Sequence, residues 1–97
     1  MRTIELSTVV QRNDTRFVAT ELGDELVMMD MEGGNYIRLN KTARVIWNYI
    51  REPVRVEEVV KSLMETYDVK EELCSVEVLD CLAGMEKQQL LLFRKMG

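Results

Sequence analysis

Side chains able to do chemistry are few. The sequence holds two cysteines, Cys74 and Cys81, and no histidine among its 97 residues, so neither a Ser-His nor a Cys-His nucleophile pair can be assembled. The cysteines sit seven positions apart in what reads as one helix. That spacing separates their α-carbons by about 10 Å along the axis, too far for a disulfide. With neither histidine nor a Cys-x-x-Cys motif they make a poor zinc site, and two small core side chains are the plainer reading. Gly33-Gly34 precedes a strand and not a helix, so it cannot seat a phosphate on a helix N-terminus. The carboxylates Glu71, Glu72, Glu77 and Asp80 fall mainly on the outward side of the last helix, as in a solvated face. Neither catalysis, a cofactor nor a metal is expected.

The elements that position the remaining candidates turn on one stretch. From Asn35 to Leu39 the pattern has a period of two, with Tyr36 and Arg38 one way and Ile37 and Leu39 the other. From Asn40 it becomes helical through Ala43, Ile46, Trp47 and Ile50. Asn40 suits the change, because its side-chain oxygen can accept from a free N–H of the first helical turn. Upstream, Phe17 to Leu22 and Glu25 to Met31 read as strands joined by a Gly23-Asp24 hairpin loop. The apolar run Leu26-Val27-Met28-Met29 suggests a central strand with both faces at least partly covered. After the Glu32-Gly33-Gly34 turn, Asn35 to Leu39 completes an antiparallel meander and forms its edge. Residues 1–15 are either an arm or an extra edge strand.

Downstream, helices are expected from Lys41 to Arg51, from Val56 to Thr66 and from Lys70 to Gln88, with Tyr67-Asp68-Val69 as a turn. The third helix carries two apolar stripes. Cys74, Val78, Cys81, Leu82 and Met85 form one, and Val76, Leu79 and Ala83 the other, which is either a flank of the core or the wall of a groove. Leu90 to Phe93 reads as a short strand or hooked tail. The fold class expected is α+β, resembling a winged helix-turn-helix: a three-stranded antiparallel sheet (16–40) packed on three helices (41–88), with a tail (89–97), in one domain.

The formal net charge is −4, but it is unevenly spread. Arg38, Lys41, Arg44, Arg51 and Arg55 make the middle basic, whereas Asp68, Glu71, Glu72, Glu77, Asp80 and Glu86 make the last helix acidic. No apolar run reaches bilayer-spanning length, and the N-terminal residues lack the features of a signal peptide, so a cytoplasmic protein without membrane contact is expected. An acidic last helix disfavours nucleic-acid binding, although a winged-helix nucleic-acid or regulatory module stays as the alternative. A monomer or weak dimer is expected. An edge strand beside an apolar helix stripe is suited to β-augmentation, in which an extended peptide adds a strand to a sheet.

The sequence from Leu26-Val27-Met28-Met29-Asp30 through Gly34-Asn35-Tyr36-Ile37-Arg38-Leu39-Asn40, Thr42-Ala43 and Ile46-Trp47 resembles the PqqD-like family, the precursor-recognition domains of ribosomally made, post-translationally modified peptides. The likeness runs on through Val56 to Leu63, Tyr67-Asp68-Val69 and Val78, Leu82 and Met85 to Leu90-Leu91. Tyr-x-x-Leu-Asn-x-Thr-Ala-x-x-Ile-Trp is its most specific part. The pattern is closer to the free-standing lasso-peptide recognition proteins, the B1 type, than to the family's namesake. Arg55 stands where relatives commonly carry a capping threonine, and Gln89 where a glycine is usual. The resemblance implies a non-catalytic protein that binds a precursor's leader as an added strand and delivers it to a leader peptidase or modifying enzyme. It assigns Asn35, Tyr36, Ile37, Arg38 and Leu39 to pairing with the leader, and Val76, Leu79, Asp80 and Ala83 to the cleft wall.

Overall fold

Residues 4–94 are described by the computed structural model. Among them the order is β1 (Val9–Arg12), β2 (Phe17–Leu22), β3 (Glu25–Asp30), β4 (Tyr36–Leu39), α1 (Lys41–Tyr49), β5 (Val54–Arg55), α2 (Val56–Thr66), α3 (Glu71–Lys87) and β6 (Leu91–Arg94). Asn40 makes the turn from sheet to helix as its type suggests. Its backbone is extended, and its Oδ1 accepts from the Ala43 N–H at 2.9 Å.

The meander forms as expected, antiparallel in the order β2-β3-β4. At the hairpin Gly23 takes φ +62°, which costs a residue without Cβ nothing. Phe17, Leu26, Met28 and Leu39 are buried on the inner face. No element among the described residues lies over the outer face. Val27 and Met29 are only half-buried there, and Val18 and Tyr36 are exposed, so the central strand is covered on one side alone.

The first fifteen residues differ from expectation. β1 is not an edge of the meander but the middle strand of a second sheet, ordered β5-β1-β6. It pairs antiparallel with β6 from Val9↔Arg94 to Arg12↔Leu91, and with β5 at Val9↔Arg55 and Val10↔Val54. Burial of Val9, Val10, Leu90 and Leu91 drives the pairing, at about 1.5–3 kcal/mol for each large apolar side chain fully buried. The Arg12 guanidinium lies 5.5 Å from the centre of the Trp47 ring and ties this sheet to α1.

Helix ends explain the two departures from the family pattern. Arg55 supplies no side-chain cap to α2. Instead the Val56 and Glu57 N–H groups donate to the carbonyls of Thr8 (3.0 Å) and Leu6 (2.9 Å), so the N-terminal segment caps the helix with its backbone. At the end of α3 the Leu90 N–H donates to the Met85 carbonyl (3.0 Å) and the Gln89 N–H to that of Glu86 (2.9 Å), a Schellman motif. The motif places Gln89 at φ +62°, a conformation glycine adopts without cost. α1 ends at Tyr49, two residues before the expected Arg51, because Ile50 leaves the helical conformation.

An open strand edge facing a helix

The register fixes which peptide groups of β4 are occupied. The Asp30 N–H donates to the Asn35 carbonyl at 2.8 Å, and hydrogen-bonded pairs alternate along an antiparallel ladder. Asn35, Ile37 and Leu39 therefore turn their backbone groups toward β3, and Tyr36 and Arg38 turn theirs toward the open edge. Among the described residues no backbone group takes up those of Tyr36 and Arg38. Their side chains point outward, Tyr36 being 71% exposed.

Across from this edge lies α3. The cleft between them, about 180 Å³, has a largely apolar floor of Ile37, Leu39, Ala43, Met85 and Leu90, while Cys81, Gly84 and Gln88 form its helix wall. At Gly84 an added Cβ would meet nothing within 4 Å. The helix is therefore open to a neighbour along this side. Burial pushes the Cys81 thiol up to about 11, so it is a neutral thiol at physiological pH.

Both walls are anchored to one guanidinium. Arg16 donates through Nε and Nη2 to the two Asp30 oxygens at 2.9 and 2.8 Å, and through Nη1 to the Gln89 side chain. Asp30 ends β3 and is 5% exposed, and its carboxylate also accepts from the Glu32 N–H in the turn leading to β4. Hydrogen bonding from Arg16 holds that carboxyl well below the usual carboxylate range, against the opposing effect of burial. A Cβ on Gly33 would stand 2.8 Å from Asp30 Oδ2, so the turn packs too closely on the carboxylate for a larger residue. Gln89 lies just past α3. The arginine thus spans the entrance to β4 on one wall and the exit from α3 on the other.

The sequence-assigned residues divide. Ile37, Arg38 and Leu39 line the cleft, Tyr36 offers its peptide groups at the edge, and Asn35 faces β3. Of the helix residues, Asp80 borders the adjoining part of the cleft with Glu77 and Cys81. Val76, Leu79 and Ala83 do not border it. They lie roughly 120° round α3 from the cleft-facing side; Val76 is 55% exposed and Leu79 packs on the core. Glu77, Cys81, Gly84 and Gln88 take their place. The usable signal was Gly84, a glycine inside a helix that costs stability unless something needs its absent side chain. Cys81, expected in the core, stands at its border.

Arg38 borders the cleft on the sheet side and Glu77 and Asp80 on α3. None of the three forms an ion pair among the described residues. Nor do three His, Cys, Asp or Glu side chains among these residues gather as a metal would require, and no helix among them is long and apolar enough to cross a membrane.

Comparison with known proteins bears on the same elements. No match was found among curated proteins. Two solved structures are similar to the whole arrangement. One, TbiB1 in complex with the TbiA(beta) leader peptide, has a TM-score of 0.75 at 24% identity and covers 89% of this chain and 99% of that one. The other, a lasso peptide synthetase B1 complexed with the leader peptide, has a TM-score of 0.73 at 17% identity, with 86% and 96% covered. From the start of β3 to the first residue of β6, residues 25–91, the sequence matches the family described as coenzyme PQQ synthesis protein D. That span contains both walls of the cleft, and by it the chain belongs to the PqqD family.

Proposed function

We propose that this protein is a non-catalytic recognition element of the B1 type, which binds the leader of a ribosomally made lasso-peptide precursor as a strand added to β4. The observation that carries this is the open edge of Tyr36 and Arg38 facing α3 across an apolar floor. Two residues with free N–H and C=O groups offer four backbone hydrogen bonds, each worth about 0.5–1.5 kcal/mol net. Such bonds give affinity without reading sequence, and the floor selects the inward side chains. The leader complexes of the two similar structures support the same use of the fold.

The mechanism is tethering. A leader held in the cleft keeps the rest of its precursor near a leader peptidase or modifying enzyme, and this raises the local substrate concentration without an active site on the tether. Exposed Glu71, Glu72, Glu77 and Asp80 on α3 would repel a phosphate backbone, which disfavours nucleic acid as the occupant. The test is a titration of the isotope-labelled protein with the synthetic leader encoded by a neighbouring precursor gene. Saturable amide shifts concentrated on residues 36–39 and 77–88 are expected. Saturable shifts confined to other surfaces would reject the cleft, and no response to the leader would reject the function.

A further inference from the structure

A second groove runs between α2 and α3, clear of the cleft. Its α3 border, Glu71 and Ser75, lies roughly 130° round that helix from Glu77, Cys81, Gly84 and Gln88. The groove holds about 490 Å³. Its floor is apolar, with Val60 buried, Met64 half-buried and Leu6 exposed along one side. Leu6 is fixed there, because its carbonyl accepts from the Glu57 N–H at 2.9 Å in capping α2.

Charge and backbone determine what fits. Glu57, Glu65 and Glu71 ring the groove against Lys61 alone; all four are exposed, and none forms an ion pair among the described residues. An apolar occupant with basic flanks is therefore complementary, and a nucleic acid is repelled. Among the described residues no strand borders the groove, so an extended peptide would leave its backbone unpaired there. A helix satisfies its own. From Glu57 to Glu65 the groove follows α2 for about 12 Å, a little over two turns of helix. A second copy is a poor match. Its basic Lys41 and Arg44 lie on α1, whose apolar residues Ala43, Ile46 and Trp47 are buried in its own core.

We propose that this groove docks a leader peptidase acting on the tethered precursor, through an amphipathic helix of that enzyme whose apolar stripe is flanked by lysine or arginine. This docking site rests on the leader-binding reading, in which a partner enzyme is needed. Because groove and cleft occupy different sides of α3, leader and enzyme are held together without competing. The enzyme is then placed by the protein itself, and the distance between the two sites sets the effective concentration of the substrate.

The experiment uses the full chain, amide-labelled, with the purified leader peptidase encoded beside the precursor gene, in the presence and absence of saturating synthetic leader. Signals of residues 57–65 and 71–75 are expected to broaden with the enzyme while those of 36–39 do not. By calorimetry its Kd should be the same within about twofold with and without leader. Glu57→Lys, Glu65→Lys and Glu71→Lys combined should weaken the enzyme about thirtyfold and Leu6→Ala about fivefold, with leader affinity unchanged within about twofold. Asp24→Lys, Glu25→Lys and Glu52→Lys combined make the same change of net charge away from the groove and should weaken the enzyme by less than about threefold. An enzyme bound equally by the parent and the groove variants, one that displaces the leader, or one bound only when the leader is present overturns the docking site. So does an enzyme that does not bind at all, and in each case persisting leader shifts on β4 leave the cleft reading standing. Absence of those shifts with the leader overturns both.

Discussion

Gly84 is the most economical probe of the cleft, because an added side chain there has space to enter it. Gly84→Phe is expected to abolish leader binding with the fold intact, as judged by calorimetry beside an unchanged far-ultraviolet spectrum. Gly84→Ala should raise stability by about 0.5–1 kcal/mol, the ordinary cost of glycine inside a helix. The ion pair behind the cleft makes a different prediction. Arg16 holds the folded Asp30 carboxyl below its ordinary range, so its stabilisation is complete above the unfolded carboxylate value, about 3.9, and is lost as pH falls through the lower folded value. In urea titrations Asp30→Asn should therefore be clearly less stable than the parent at pH 7, with the gap closing below pH 4. Breaking the exposed Arg44 to Glu21 pair with Arg44→Met should matter little at either pH. The strand Tyr36–Leu39 was legible from alternation alone. Gly84 was not, because a glycine is informative only once the surface it faces is known.

At the scale of elements, β4 is the part that recognition through the backbone makes testable. Arg38→Pro removes an N–H that faces the open edge and spares the ladder to β3, so the strand should survive while leader affinity falls by about tenfold. Arg38→Ala keeps that N–H and should cost much less, and isothermal titration of the two variants separates backbone from side-chain recognition. Helix boundaries were legible to within two residues because Asn40, Pro53 and the Tyr67-Asp68-Val69 turn punctuate the chain. Which side of α3 meets β4 was not legible. Apolar residues occur on several sides of that helix, with Val76, Leu79 and Ala83 opposite much of the cleft. The phase is settled by packing on α2 and the second sheet, contacts that no local pattern encodes.

At the scale of the molecule, the meander and the helices could be read from periods of two and 3.6, but the second sheet could not. Its strands are four residues or fewer, and β5 is two. Their partners lie far apart in the sequence, and register between distant short strands leaves no local trace. That pairing also bears on when the protein becomes competent. Val9 meets Arg94 about 85 residues later, and at 5–20 residues per second a ribosome needs roughly 4–17 seconds to make the intervening chain. Throughout that interval β1 has no β6 to pair with, although the hairpins and α1 can already form. The Gln89 contact to Arg16, which ties the far wall to the near one, arrives almost as late. Newly made protein should therefore acquire its cleft only once β6 has been made, with β1 the stretch most open to chaperones or to mispairing while it waits.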